Sequence, residues 1–128
     1  MLERWRTKSS SNNTGAAIEQ KTRRWLQQQG SKVVECNYNC GVGEIDIIMR
    51  DNGYLVFVEV RYRRQSCFGD GLESVDWRKQ KKLHKAAACY LLENRQFSTL
   101  PCRFDVIAVR PSDCATLHWT WIKDAFTV

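Results

Sequence analysis

Apolar and polar residues alternate with a period of two through GEIDIIMRDNGYLVFVEVRYRR, residues 43–64. The alternation runs up to Asn52-Gly53 and resumes beyond it; both residues tolerate φ > 0, which favours a two-residue hairpin turn. Two antiparallel strands follow, with Asp51 opposite Tyr54. Carried back along the strands, that register sets Asp46 opposite Glu59 and Glu44 opposite Arg61, with facing Cβ atoms about 4.5–5.5 Å apart. A three-residue loop would shift every pair by one. Ile45, Ile47 and Met49 then share a wholly apolar face with Val56, Val58 and Val60. The opposite face grades from Ile48 and Phe57 to Asp46 and Glu59, then to Glu44 and Arg61. Burying carboxylates there is costly unless a cation or donors compensate them.

A helical period governs two other stretches. Ile18, Thr22, Trp25 and Leu26 form one apolar stripe, on a helix capped by Thr14 and closed after Gln29 by Gly30. Glu19 borders that stripe, either as a first-turn acid complementing the helix dipole or as a group leaning toward the packing partner. Leu83, Ala86, Ala87, Tyr90 and Leu91 mark a second helix over roughly 75–94. Arg78, Lys82 and Lys85 line its cationic face. Lys79 lies one turn before Leu83 on the inward stripe, where a lysine either snorkels past a core or reaches into a site. Residues 32–38, 103–109 and 117–122 read as further strands. The second of these is parallel to the outgoing hairpin strand, because a helix separates them; the last lies at an edge. Its Trp119 and Trp121 alternate at strand period and suit a core or a dimer contact better than base stacking. The order α-β-β-β-α-β-β predicts an α/β sandwich around a mixed sheet. Residues 1–14, polar and basic, read as a flexible tail, and 15–128 as a single domain.

Composition narrows the partners. A net charge of +6 over 128 residues favours a polyanion. No apolar run approaches the roughly 18–20 residues of a membrane span, and MLERWRTKSSSNNT has no apolar core to serve as a secretory signal. A cytoplasmic location is therefore expected, with the six cysteines as free thiols. Cys36 and Cys40 have a C-x3-C spacing, but nothing in the sequence completes a four-ligand zinc set.

The candidate chemistry is a helical acid, Glu19, a strand acid, Asp46, a second strand acid, Glu59, and Arg61 two residues beyond it. Oxygen-only ligands suit a hard cation, Mg²⁺ or Mn²⁺, which takes one or two carboxylates and keeps several waters. Such a metal polarises a phosphodiester and supplies hydroxide near neutral pH, while a cation on the same strand face stabilises the charge that builds on phosphorus. Arg63, Arg64, Arg78, Lys82 and Lys85 add an electrostatic footprint for a phosphate backbone. Glu44 opposite Arg61 reads as a cross-strand ion pair, and Asp105 as an internal hydrogen-bond partner.

Gly15 and Glu19, GEIDII, VFVEVRYR, Lys79, CRFDVIAV and WIKDAF together resemble the YraN-type uncharacterised bacterial proteins, over nearly the whole chain beyond the tail. That family is regarded as distantly similar to archaeal Holliday-junction resolvases, within the restriction-endonuclease-like PD-(D/E)xK fold. The resemblance implies that Asp46, Glu59 and Glu19 hold the metal, with Arg61 where the fold usually has lysine, and that a dimer with paired sites would suit branched or two-stranded DNA. Arginine effectively cannot give up its proton, so either Lys79 or the metal must supply what that lysine would. A metal-dependent endonuclease acting on DNA is the reading these residues favour. The rival is a non-catalytic DNA- or RNA-binding module with a degenerate nuclease site.

Overall fold

Five strands hydrogen-bond side by side in chain order, and two helices cover the two faces of the sheet they make. The computed structural model describes residues 9–63, 75–112 and 116–126, with side chains in the first helix from Gly15 onward. Its elements are α1 (Ser9–Gln28), β1 (Lys32–Asn39), β2 (Glu44–Asp51), β3 (Tyr54–Tyr62), α2 (Trp77–Glu93), a 3-10 turn at Arg95–Phe97, β4 (Cys102–Pro111) and β5 (Leu117–Phe126). Neighbouring strands are antiparallel except β3 and β4, which run parallel with α2 as the crossover. This is the α/β sandwich with a mixed sheet that the order of elements predicts.

Strand periodicity divides the core in two. Ile47, Met49, Val56, Val58, Val60, Ile107 and Val109 bury against Ile18 and Leu26 of α1. Ile48, Leu55, Phe57, Phe104 and Val106 bury against Leu83, Ala86, Ala87 and Tyr90 of α2. Fully burying one such aliphatic or aromatic side chain contributes about 1.5–3 kcal/mol, so the two layers together hold the sheet between the helices.

The hairpin forms as its turn residues require. Asn52 and Gly53 have φ of 50° and 87°, and Asp51 pairs with Tyr54. The register then runs back only to Ile47↔Val58. There the alternation breaks, for Ile45 packs with the α2 cluster and Ile47 with the α1 cluster. The expected face of Ile45, Ile47 and Met49 is thus corrected at its first member. The cause is Asp46. Leu55 and Arg63 donate their amides toward β4, to Pro101 and Val109, so the amide of Val60 faces β2. It donates to the Oδ2 of Asp46, at 2.8 Å. Across the other edge of β2, Asn37 is left-handed, with φ 57°, between the pairs Cys36↔Ile47 and Tyr38↔Ile45.

The ends of α1 and β5 differ from expectation. α1 begins at Ser9, ahead of Thr14; a run of serines and asparagines offers several capping residues, so composition alone does not place the start. It ends at Gln28, with Gly30 at φ 100° and the Ser31 amide returning to Leu26 O at 3.1 Å. β5 continues to Phe126, past a left-handed Asp124 at φ 54° that absorbs a register shift opposite Phe104 and Val106.

One close approach positions α2. A Cβ on Gly43 would lie 2.6 Å from the carbonyl oxygen of Lys82, so the helix backbone rests directly on the chain entering β2. Only glycine permits that distance. Among the described residues, no helix is long and apolar enough to cross a membrane.

Candidate functional site

Asp76 caps α2 by accepting the Lys79 amide at 3.0 Å. Near this capped end a cavity of about 320 Å³ opens, lined by Glu59, Arg61, Tyr62, Arg63, Val75, Asp76 and Lys79. Strand periodicity explains the strand contribution: Phe57 faces α2, so Glu59 and Arg61 do as well. Helical periodicity explains Lys79, one turn before the buried Leu83.

The cavity's charges are unequally satisfied. Glu59 is 4% exposed, and its Oε2 lies 3.5 Å from the Lys79 Nζ, whose side chain remains 27% exposed. The Lys79 ammonium thus lies at the cavity, in contact with Glu59. Asp46 is 1% exposed, and its bond to the Val60 amide holds it beside the Glu59 backbone. Arg61 differs: its Nη1 is buried and has no hydrogen-bond partner among the described residues. Leaving a buried donor unmet costs about 1–3 kcal/mol. The Arg61 guanidinium also helps hold the Asp76 carboxyl below its ordinary value, after the larger effects of the Lys79 and Arg78 amides and of Arg78's own charge.

Of the remaining expected residues, Arg63 lines this cavity, while Glu19, Arg78, Lys82 and Lys85 are not among its lining residues. Glu19 accepts a 2.8 Å hydrogen bond from Asn37 Nδ2, so it stands at the level of Asp46 on the β1 side, with Asn37 between. Among the described residues, no three His, Cys, Asp or Glu side chains gather as a metal-holding group. Glu44 pairs in register with Asn39 of β1; the described β2–β3 ladder stops short of the Glu44–Arg61 pairing. Arg78, Lys82 and Lys85 are exposed along α2, and Arg64 lies outside the described residues.

Asp105 is internal, as expected. It is 0% exposed and accepts from Arg103, from Trp121 Nε1 at 2.8 Å and from the Asp124 amide at 2.9 Å. Trp119 stacks on Trp25 with centroids 5.3 Å apart. Cys36, Cys40, Cys89 and Cys102 are free thiols. Burial, then the nearby charge of Glu19, pushes Cys36 up to about 11, which leaves it protonated and unreactive near neutral pH.

Residues 18–109 match the uncharacterised protein family UPF0102. The chain belongs to that family. It is 49% identical over 112 residues to a UPF0102 protein of Xanthomonas euvesicatoria, covering 88% of this chain and 89% of that one. To a UPF0102 protein of Alcanivorax borkumensis it is 41% identical over 117 residues, covering 91% and 94%. A Pseudomonas savastanoi member is 46% identical over 121 residues, covering 93% and 97%. The YraN-type resemblance of the motifs and the UPF0102 match are the same family. The matched span contains Glu19, Asp46 and every residue lining the cavity.

Sequence reasoning passed over two UPF0102 residues near the cavity. Asp76 was legible as an acid just ahead of a helical period, a cap signal. Trp77 was legible as a large aromatic off the buried stripe of α2, and it is 61% exposed.

Proposed function

We propose that this protein binds nucleic acid through its backbone phosphates and hydrolyses the phosphodiester bond with a divalent metal. The observation that carries the reading is Arg61. A buried guanidinium nitrogen without a partner among the described residues, in a cavity also lined by Arg63 and Lys79, calls for an anion. Phosphate oxygens accept from guanidinium in a fork-like geometry. The chain's +6 charge and the exposed Arg78, Lys82 and Lys85 extend that preference from one phosphate to a polyanion.

The donor set fits Mg²⁺ or Mn²⁺ in kind: Asp46 and Glu59 are both buried carboxylates, and Asp46 bonds the amide of the residue after Glu59. Such an ion, bound there, supplies positive charge to the phosphodiester and lowers the cost of ionising water. The Val60 amide fixes the orientation of Asp46. Arg61, permanently charged, steadies the phosphate and the charge that grows on it, but takes no proton. Lys79 is the lining amine able to exchange a proton, and its contact with Glu59 keeps it at the cavity. Glu19 acts through Asn37, which donates to it.

The test is calorimetric titration of Mg²⁺ and Mn²⁺ into wild type and Asp46→Ala, with linear, flapped and four-way-junction DNA incubated in parallel. Saturable binding lost in the variant, together with cleavage, supports the enzyme. Nucleic-acid binding with neither metal uptake nor cleavage supports the rival, a binding module whose site was disabled by arginine in place of lysine. Neither binding nor cleavage overturns the reading.

A further inference from the structure

We propose that the outer face of α2 is a stacking platform for unpaired bases, with Trp77 as its ring, so that the preferred nucleic acid carries a single-stranded segment. The proposal rests on the nucleic-acid reading above and deepens it. Trp77 is the most prominent aromatic on the described surface, at 61% exposed, and it has no place in the core. The inner stripe of α2 is complete with Leu83, Ala86, Ala87 and Tyr90. A tryptophan at the first helical position is therefore not required by packing.

Its surroundings are cationic. Arg78 Cζ lies 5.7 Å and Lys81 Nζ 5.2 Å from the ring centroid. With Lys82 and Lys85 they make an exposed arc that carries no acid from Trp77 to Leu92. Aromatic faces bordered by cations are what single strands use: the ring stacks on a base, and the charges follow the backbone. An exposed cation–π contact is weaker than base stacking. An incoming base can therefore displace Arg78 or Lys81 from the ring and free it for a phosphate.

The same arc is poorly suited to a bilayer. Its other large apolar residue, Leu92, is 68% exposed but stands about 22 Å away along the helix, with lysines between. That is no continuous apolar stripe. The arc also joins the cavity: Asp76 and Lys79, on either side of Trp77 in sequence, both line it. A strand whose phosphate meets Arg61 leaves past the start of α2.

The test is fluorescence anisotropy with a labelled single strand and with the blunt duplex of the same sequence, on wild type, Trp77→Ala and Trp77→Phe. Trp77→Ala is expected to lose roughly tenfold or more in affinity for the single strand and to leave duplex affinity unchanged. Trp77→Phe is expected to restore most of the loss, which excludes misfolding as its cause. Equal effects on both probes, or no effect on the single strand, overturn the platform and leave the nucleic-acid reading standing. Wild type binding neither probe at low salt overturns both. Anionic vesicles run alongside give the remaining outcome: Trp77-dependent vesicle binding without nucleic-acid binding assigns this face to a membrane surface and overturns the platform.

Discussion

Two acid–base clusters occupy opposite faces of one sheet, and they differ in whether their charges are answered. On the α1 face, Arg103 Nη2 donates to Asp51 at 2.8 Å, and its Nε donates to Asp105 at 3.0 Å. Asp51 also accepts from Ser31 and lies 3.7 Å from Lys123, while the guanidinium sits over the Tyr54 ring. On the α2 face, Glu59 has Lys79 at 3.5 Å, and Arg61 keeps a buried nitrogen that the described residues do not satisfy. Both clusters bury charge, yet the first closes on itself and the second opens into a cavity. Burial of charge therefore does not mark function by itself. Arg23, Arg50 and His84 also bury a nitrogen without a partner among the described residues, so what separates the two is an unmet donor that also lines an open cavity.

The largest expected effect breaks the closed cluster. Arg103→Ala removes the guanidinium shared by two buried carboxylates and should cost about 3–5 kcal/mol, read as a lower urea midpoint at neutral pH. A cost under about 1 kcal/mol would mean that the closed cluster is ornamental. The next largest has the opposite sign. Arg61→Met removes a buried unmet donor while keeping the stem's volume, so stability should rise by about 1–2 kcal/mol as nucleic-acid affinity falls. A loss of stability would place a partner for Arg61 outside the described residues. Such a trade of stability for binding is common at functional sites.

A third expectation concerns acid. Burial alone would raise the Asp51 carboxyl, but Arg103, Lys123 and Ser31 outweigh it and hold it below its ordinary value of 3.8. The stability this contributes is complete above the unfolded value and is lost as pH falls through the lower folded one. Unfolding free energy measured below about pH 4 should therefore fall less steeply for Asp51→Asn than for wild type. Equal slopes would assign the acid limb to other carboxylates.

The hairpin was legible because Asn52-Gly53 states its own geometry, and the helical stripes were legible because periodicity is local. The break at Asp46 was not. It arises where the Asp46 side chain accepts the Val60 amide, beside a left-handed Asn37 on the neighbouring strand, and no alternation of types encodes either. Asp105 could be read as internal from its apolar neighbours. Its network could not, since Arg103 reaches Asp51 across 52 positions. For Lys79, periodicity gave the direction and left the depth open. The depth follows from how closely α2 approaches β2, which Gly43 sets from the far side of the site.

The smallest expected effect bears most directly on the contrast. In a double-mutant cycle, Glu59→Gln with Lys79→Met should give a coupling energy of about 1 kcal/mol or less. The contact is a single one at 3.5 Å, and one partner is 27% exposed, so solvent screens it and the lysine gains freedom when released. Coupling well above that, near the cost expected for Arg103, would make Glu59 and Lys79 a second structural pair. The open face would then differ from the closed one only in geometry, and Arg61 would have to carry the case for an anion alone. Weak coupling leaves the Lys79 ammonium held at the cavity by too little to be explained as scaffolding, and available to the phosphate proposed to meet Arg61.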